Sequence, residues 1–309
     1  MKYLITILIC ISMGLTADGT IGGVTYFDFF NSDKDDSTAF NFQRQYFSYA
    51  DSISDDLQFT LVFDVGRTDK LDGEDARLVA YLKKAQIDFK TSLGKASMGL
   101  IGMNTHAVQE KNWGNRFIEK SALDKNKYST AADLGIGFSC LLKENLTMSV
   151  QMVNGEGYKQ SQRDKYYKIS FNTTYGEVKL NNNDGYNAGI VYSTEGKDTT
   201  MISTFGGFAG MGLRICGEYD MLTKGAVESN IISVSANYGI KNNMDAFVRY
   251  DMFDDNDLDN KNGNNYLITG VVIKCNNGIS VSPNMRITSY EDPATVDEKE
   301  YKINFQFKF

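Results

Sequence analysis

The last nine residues, Tyr301–Phe309, read YKINFQFKF and decide the fold class. Apolar or aromatic side chains stand at the odd positions, and Lys302, Asn304, Gln306 and Lys308 stand between them. A period of two gives a β-strand one apolar face and one polar face. Chain ends are usually polar and poorly ordered, whereas here the final residue, Phe309, still follows the pattern. The alternation therefore predicts a terminal strand that is held in a sheet.

The same alternation recurs in Leu57–Val65, Asp133–Cys140, Leu146–Met152 and Tyr167–Asn172. No stretch repeats convincingly at 3.6 residues, so no helices are predicted to cover the apolar faces. The segments run about 9–13 residues, which suits a tilted strand that crosses a bilayer better than a soluble sandwich. Because lipid offers no hydrogen bonds, such a sheet must close on itself. The sequence therefore predicts an all-β fold, a transmembrane antiparallel β-barrel whose polar faces line a lumen.

Sixteen such segments can be drawn after the N-terminus, and we predict a barrel of about 16 strands at 21–30, 38–50, 56–66, 76–89, 95–105, 131–142, 145–154, 164–174, 186–194, 198–207, 210–221, 228–240, 243–253, 264–275, 278–289 and 299–309. Short turns of Gly, Asn and Asp type alternate with longer charged connections, as in barrels with short periplasmic turns and long external loops. The connection TYGEVKLNNNDG is long where a short turn is expected. The ninth strand is therefore the least secure, and counts of 14 to 18 stay open.

The N-terminus has the pattern of a secretory signal peptide. Lys2 is followed by the apolar run Tyr3–Leu15 and then by small residues. This run is too short to span a bilayer as a helix. We predict cleavage after Ala17, so that residues 1–17 are the signal peptide and residues 18–309 form the barrel. Lipid attachment at Cys10 is a weaker interpretation, because the residue before it, Ile9, is not small.

The composition argues against several functional classes. A net charge of −7 does not favour a nucleic-acid partner. Beyond Cys10 the cysteines are Cys140, Cys216 and Cys275, an odd and widely spaced set that predicts neither a disulfide framework nor a zinc site. No phosphate-binding loop or dinucleotide-binding fingerprint follows a strand. We therefore predict no catalytic residue, no metal site and no cofactor.

Two motifs suggest alternatives. His106 is the single histidine, and a barrel hydrolase would need it beside a serine and an orienting acid, for which no partner is evident. The acidic run Asp254–Gly263 begins like a calcium loop, but Asn260 replaces the required glycine and Tyr266 the required glutamate. We predict that the protein is not an enzyme and that the acidic run is a solvated loop.

The longest connection, His106–Thr130, follows the fifth predicted strand and is the third external loop by count. Loops of this length are usually functional. Its apolar residues Trp113, Phe117 and Ile118 favour packing against a wall, so we predict that the loop folds into the lumen rather than lying flat outside. Mixed charge at such a constriction sets ion preference, and the candidate residues are Lys111, Arg116, Glu119, Lys120, Lys125 and Lys127.

Other charges fall on the polar strand faces. A charge on the lipid face near the midplane costs about 2–4 kcal/mol, so these side chains are expected in the lumen. They would either line the pore or form internal ion pairs that support the wall, and the two roles are compatible. The candidates for the lumen wall are Arg44, Arg214, Glu218, Arg249, Asp251 and Arg286.

Several stretches resemble the phosphate-selective porin O and P family of Gram-negative bacteria. They are QEKNWGNRFIEKSALDKNKYSTAADLGIGF at 109–138, VNGEGY at Val153–Tyr158, RYDMFDDNDLD at Arg249–Asp259 and SPNMR at Ser282–Arg286. The resemblance implies a sixteen-stranded barrel, usually a trimer, for passive diffusion. Phosphate-selective members of that family carry a dense ladder of lysine and arginine. The long loop of this chain has only a modest excess of basic residues. The resemblance therefore does not identify the solute.

Together these features predict a porin in the bacterial outer membrane, forming a water-filled channel for passive diffusion of small hydrophilic solutes and ions with a weak preference for anions. A narrow or non-conducting barrel with a structural or adhesin role is the alternative. The expected partners are outer-membrane lipids and lipopolysaccharide, small ions and polar solutes, further copies in a homotrimer, and the assembly machinery that reads a terminal Phe309.

Overall fold

The structure is a computed structural model that describes residues 19–34, 36–67, 77–259 and 261–309. The predicted signal peptide, residues 1–17, lies outside the described residues. The described chain contains sixteen strands: β1 Thr20–Ser32, β2 Ser37–Ser52, β3 Leu57–Arg67, β4 Leu78–Thr91, β5 Gly94–Gly102, β6 Ala132–Lys143, β7 Leu146–Val153, β8 Lys168–Gly176, β9 Gly185–Glu195, β10 Thr199–Gly210, β11 Leu213–Lys224, β12 Val227–Lys241, β13 Met244–Asp254, β14 Asn264–Lys274, β15 Ile279–Tyr290 and β16 Glu298–Lys308.

The sixteen strands form one closed antiparallel barrel in sequential order, which confirms the predicted fold class and strand count. The sheet closes between β1 and β16, where Val24 pairs with Lys308 and Asp28 with Asn304. Phe309 continues this ladder, because its N–H and C=O both bond to Gly23 at 3.1 Å. The final alternating residues are therefore a paired strand, as their pattern predicts.

Along the strands, side chains alternate between an exposed outer face that is mostly apolar and a buried inner face that is mostly polar. In β12, Ile232 and Val234 are 42% and 53% exposed, whereas Ser233 and Ser235 are only 5% and 6% exposed. In β16, Tyr301 is 49% exposed while Asn304 is 2% exposed. An outward apolar surface with a polar interior is the arrangement that a barrel in lipid requires. The outward aliphatic and aromatic side chains are thus in the position that lipid tails would cover.

Two β-bulges change which residues face the lumen. In β2 the register shifts so that Tyr26 pairs with Arg44 while Phe27 pairs with Phe42, which leaves Gln43 as an extra residue. In β4 the register shifts so that Val62 pairs with Lys84 and Phe63 with Leu82, leaving Lys83 unpaired. A bulge lets two consecutive side chains lie on one face.

Outside the strands, the described residues contain two short helices: α1, Ala107–Trp113, and α2, a single turn at Ala122–Lys125. Both lie in the long connection between β5 and β6, for which no helix is predicted from residue periodicity. The connection between the predicted strands 210–221 and 228–240 is also shorter than expected, because β11 and β12 extend into it and leave only Gly225 and Ala226. Gly225 adopts a φ of 62°, which glycine tolerates and which permits this tight turn.

No helix in the described residues combines the length and the apolar character needed to cross a bilayer. The cysteines in this part of the chain, Cys140, Cys216 and Cys275, are unpaired. Cys216 is buried and its thiol lies 3.3 Å from the carbonyl oxygen of Asn112 in α1.

The two barrel faces predict different losses of stability when a charge is added. Phe47 in β2 is 43% exposed on the outer face, and its neighbour Ser48 points inward and donates to the Gly22 carbonyl at 3.1 Å. We expect Phe47→Lys to lower the free energy of unfolding by about 2 kcal/mol, since lipid cannot solvate the charge. The inward control, Ser48→Lys, should cost under about 1 kcal/mol. Urea unfolding in lipid vesicles would measure both, and equal losses would contradict the assigned faces.

Candidate functional site

The connection between β5 and β6, residues 103–131 and hereafter the L3 loop, is the longest in the described chain. Its stem is fixed by Asn104, whose side-chain amide donates to the Ser149 carbonyl and whose Oδ1 accepts from Ser170 at 2.6 Å. Asn172 donates to the Asn104 carbonyl at 2.7 Å. These bonds join the loop stem to β7 and β8, so the loop begins from a fully hydrogen-bonded polar base.

A second set of bonds closes the other end of the L3 loop. The Asp133 carboxylate accepts from the backbone N–H groups of Gly155 and Gly157, at 2.7 and 3.2 Å. Both glycines have positive φ, 123° and 84°, which lets their N–H groups converge on one carboxylate. The segments ADLG and NGEGY, on which the family resemblance partly rests, are therefore hydrogen-bonded to each other at the C-terminal end of the L3 loop.

Local sequence explains the shape of the loop. Gly114 ends α1 in the left-handed conformation at φ 73°, and its N–H bonds to the Glu110 carbonyl. Ser121 begins α2, with its hydroxyl accepting from the Asp124 N–H. Between the helices, the Trp113 indole N–H donates to the Glu119 carbonyl at 2.8 Å. The chain is thus folded back on itself as a compact unit.

The apolar side chains of the L3 loop pack on inward-facing residues of the barrel. Leu123 is fully buried in a cluster with Val191, Met201, Phe205, Leu222 and Ile231 of β9 to β12. Trp113, Phe117 and Ile118 are buried with Phe247, Tyr266 and Ile268 of β13 and β14. Burying such side chains stabilises by about 1.5–3 kcal/mol each, so this packing is a major contribution to the loop position.

Three of the predicted wall arginines hold the loop backbone. Arg214 donates to the Trp113 carbonyl at 2.9 Å, and Arg249 donates to the Lys120 carbonyl at 2.5 Å. Arg286 donates to the Ile118 carbonyl at 2.7 Å and pairs with Glu119 at 3.1 Å. Arg249 also donates to both carboxylate oxygens of Asp251, its neighbour on the barrel wall. These arginines therefore support the loop through internal bonds, and Arg286 also borders a space of about 280 Å³ beside the loop.

The other two wall candidates differ in their contacts. Arg44 pairs with the fully buried Asp64 at 2.5 Å on the opposite half of the barrel, near the open side of the loop. Glu218 lies beside a small cavity of about 20 Å³ between α1 and the wall, and its Oε2 has no hydrogen-bond partner in the described residues.

The predicted loop charges fall into two groups. Arg116 bridges Glu110 and Asp124 at 3.3 Å each, and Lys120 lies 3.6 Å from Asp124. The ammonium group of Lys125 lies over the Tyr266 ring. By contrast, Lys111 and Lys127 have no ion-pair partner within the described part of the chain, and Lys127 is exposed.

Burial and ion pairing act in opposite directions on these loop groups. Burial would raise the pKa of Glu119, but Arg286, Lys125 and Arg249 outweigh it and lower that pKa to about 2. Burial lowers the pKa of the His106 imidazole. Ligand atoms of His106, Glu110 and Asp124 all lie within 4.8 Å of one another. Both carboxylates already pair with Arg116, so the positive charge in this cluster is supplied by the protein itself.

A space of about 430 Å³ separates the L3 loop from the half of the barrel formed by β1 to β5, and we call it the lateral cavity. Four cationic side chains and one carboxylate border it: Lys83, Lys84, Lys111, Arg116 and Glu110. Strict alternation would have placed one of the two adjacent lysines toward lipid, and the bulge in β4 explains why sequence reasoning missed them. The sequence feature that could have indicated the bulge is the spacing of three residues between the apolar Leu82 and Ala85, which breaks the period of two.

Solved structures with this fold are outer-membrane porins and related proteins. The anion-selective porin from Comamonas acidovorans has a TM-score of 0.69 and 9% identity, covering 95% of this chain and 100% of that chain. OmpT of Vibrio cholerae has a TM-score of 0.68 and 12% identity, covering 94% and 97%. Salmonella typhi OmpF in complex with daunomycin has a TM-score of 0.64 and 12% identity, covering 94% and 98%.

Identities of this size establish the fold alone, and the predicted porin-type barrel is confirmed. The predicted location also agrees with these neighbours, which include outer membrane proteins. No family model and no curated protein matches the chain. Membership of the phosphate-selective porin O and P family therefore stays a prediction.

The Glu119–Arg286 pair predicts an acid-sensitive loop. The pKa of Glu119 is lowered from 4.5 to about 2, so its contribution to docking is fully present above pH 4.5 and is lost as pH falls through about 2. Trp113, the single tryptophan, is 3% exposed and bonded to Glu119, so its fluorescence reports on the loop. We expect its emission to shift to the red between these pH values. Glu119→Gln should lack this transition, while Glu291→Gln on a distant exposed connection should retain it.

Proposed function

We propose that the protein is a porin of the bacterial outer membrane that lets small hydrophilic solutes and ions diffuse through a channel narrowed by the L3 loop. The observation that carries the proposal is the placement of the loop contacts. Loop residues 109–120 bond to side chains of β9, β10, β11, β12, β13, β15 and β16. A loop supported by one half of a closed wall would leave the passage beside the other half, where the lateral cavity lies.

The charges on that open side support a weak anion preference. Four cationic groups and one carboxylate border the lateral cavity. A second space of about 280 Å³ is also bordered by more cations than carboxylates, namely Arg44, Arg116, Lys120, Arg286 and Lys302 against Asp28 and Glu119. Rings or rows of one sign of charge set ion preference in pores. Since several of these cations are paired with carboxylates, we propose a modest preference rather than a strict one.

The other parts of the proposal concern processing and partners. Residues 1–17 are proposed as a signal peptide and residues 18–309 as the mature barrel. The proposed partners are outer-membrane lipids and lipopolysaccharide on the exposed apolar face, the assembly machinery at Phe309, and two further copies in a homotrimer. A place within the phosphate-selective porin O and P family is proposed on the sequence resemblance.

Planar-bilayer recording tests the channel itself. Refolded protein in potassium chloride should give stepwise conductance increases of porin size if ions pass beside the loop through the lateral cavity. Folded protein is verified in parallel by its heat-modifiable migration on a gel. Silence from folded protein would refute the channel and support the narrow structural or adhesin barrel.

A charge reversal tests the anion preference. Lys111 faces the lateral cavity without an ion-pair partner in the described residues, so Lys111→Glu changes the field without breaking a pair. We expect the reversal potential under a potassium chloride gradient to shift toward cation selectivity. The control Lys241→Glu makes the same charge change at an exposed strand end and should leave the potential unchanged. Equal shifts from the two variants would remove the cavity from the account of selectivity.

A further inference from the structure

The lateral cavity has an apolar side that a simple ion path does not need. Its wall includes Tyr26, Tyr46, Val62, Met103 and Ala107. Tyr26 and Tyr46 meet edge to face, with ring centroids 6.1 Å apart. Tyr26 also packs on Phe117 of the L3 loop, with ring centroids 6.5 Å apart, so this aromatic pair is held in place beside the cavity.

The same cavity is bordered by lysine side chains that could bind an anion. The Lys83 ammonium lies 4.2 Å from the centroid of the Tyr46 ring and donates to its hydroxyl at 2.9 Å. Lys84 and Lys111 border the cavity, and neither has an ion-pair partner among the described residues. A charge that is partly removed from water without a counter-charge is unfavourable, so an incoming anion would be stabilised here.

The two features together discriminate between ligand classes. An inorganic anion would use the lysines but gain nothing from the aromatic and aliphatic wall. A neutral sugar would use the aromatic rings but leave the ammonium groups without a counter-charge. A compound with one carboxylate and a flat apolar body matches both, and a cavity of about 430 Å³ is within the usual size for a small-molecule site.

We propose that the lateral cavity is a binding subsite for small aromatic carboxylates on their way through the channel. The carboxylate would face Lys84 and Lys111, and the ring would lie against Tyr26, Tyr46 and Met103. This inference rests on the proposed channel function and names the class of solute that the channel favours.

The test compares benzoate, acetate and benzylammonium as blockers of potassium chloride conductance in planar bilayers. Benzoate should reduce the single-channel current at concentrations about tenfold below those of acetate, because only benzoate uses the apolar wall. Benzylammonium, which has the same ring and the opposite charge, should not block in that range. Chloride conductance in the same recording reports separately on the channel, so failure of the proposed function is visible on its own.

Variants separate the contributions of charge and wall. Lys84→Met should weaken the benzoate block by about tenfold, the loss expected for one charge-assisted hydrogen bond. Lys241→Met at an exposed strand end is the matched control and should not alter the block. Titration calorimetry of benzoate and acetate into the detergent-folded protein provides the same comparison if no current is observed.

Two outcomes would overturn the proposal. Equal affinities for benzoate and acetate would reduce the cavity to a general anion site. Equal block by benzoate and benzylammonium would show that apolar plugging, without the lysines, explains the effect.

Discussion

The need to pair every backbone N–H and C=O group within lipid is the constraint on which this structure depends. A helix satisfies this need within one segment, whereas a strand must find partners on both sides, so the sheet closes. Closure is completed by Phe309, whose two backbone bonds to Gly23 extend the β1–β16 ladder by one residue. Once closed, the sheet has a lipid face and a lumen face, and the side-chain period of two assigns each residue to one of them.

Closure also creates the interior that the L3 loop partly occupies. A barrel of sixteen strands is too wide for wall side chains alone to fill. The loop fills the half lined by β9 to β16 with a buried apolar core around Leu123 and with arginine bonds to its carbonyl oxygens. Those carbonyls would otherwise be unpaired once the loop is packed, so Arg214, Arg249 and Arg286 satisfy the loop backbone as well as neutralising Asp251 and Glu119.

Most of the barrel could be predicted from the sequence because strand periodicity is local. All sixteen segments were identified, including the uncertain ninth, which is β9, Gly185–Glu195. The candidate site was less predictable. The alternation of the strands predicts that Arg249 and Arg286 face the lumen. Their bonds to a loop about 130 to 170 residues earlier in the chain are non-local and could not be predicted in this way. The bulge that turns Lys83 inward breaks the period on which the prediction relied, and its cue is a single odd spacing.

The charged groups of the lumen divide into those that hold the loop and those that do not. Arg214, Arg249 and Arg286 on the β9 to β16 side are bonded to the loop, so replacing one leaves a loop carbonyl without that hydrogen bond, at a cost of about 1–3 kcal/mol or more. At the lateral cavity, Lys84 of β4 and Lys111 of α1 make no ion pair in the described structure, so they can change without that penalty. The groups that hold the loop and the unpaired lysines therefore lie at different places in the lumen. The bulges in β2 and β4 lie in the half of the barrel formed by β1 to β5. They add inward side chains there without altering the closure of the sheet.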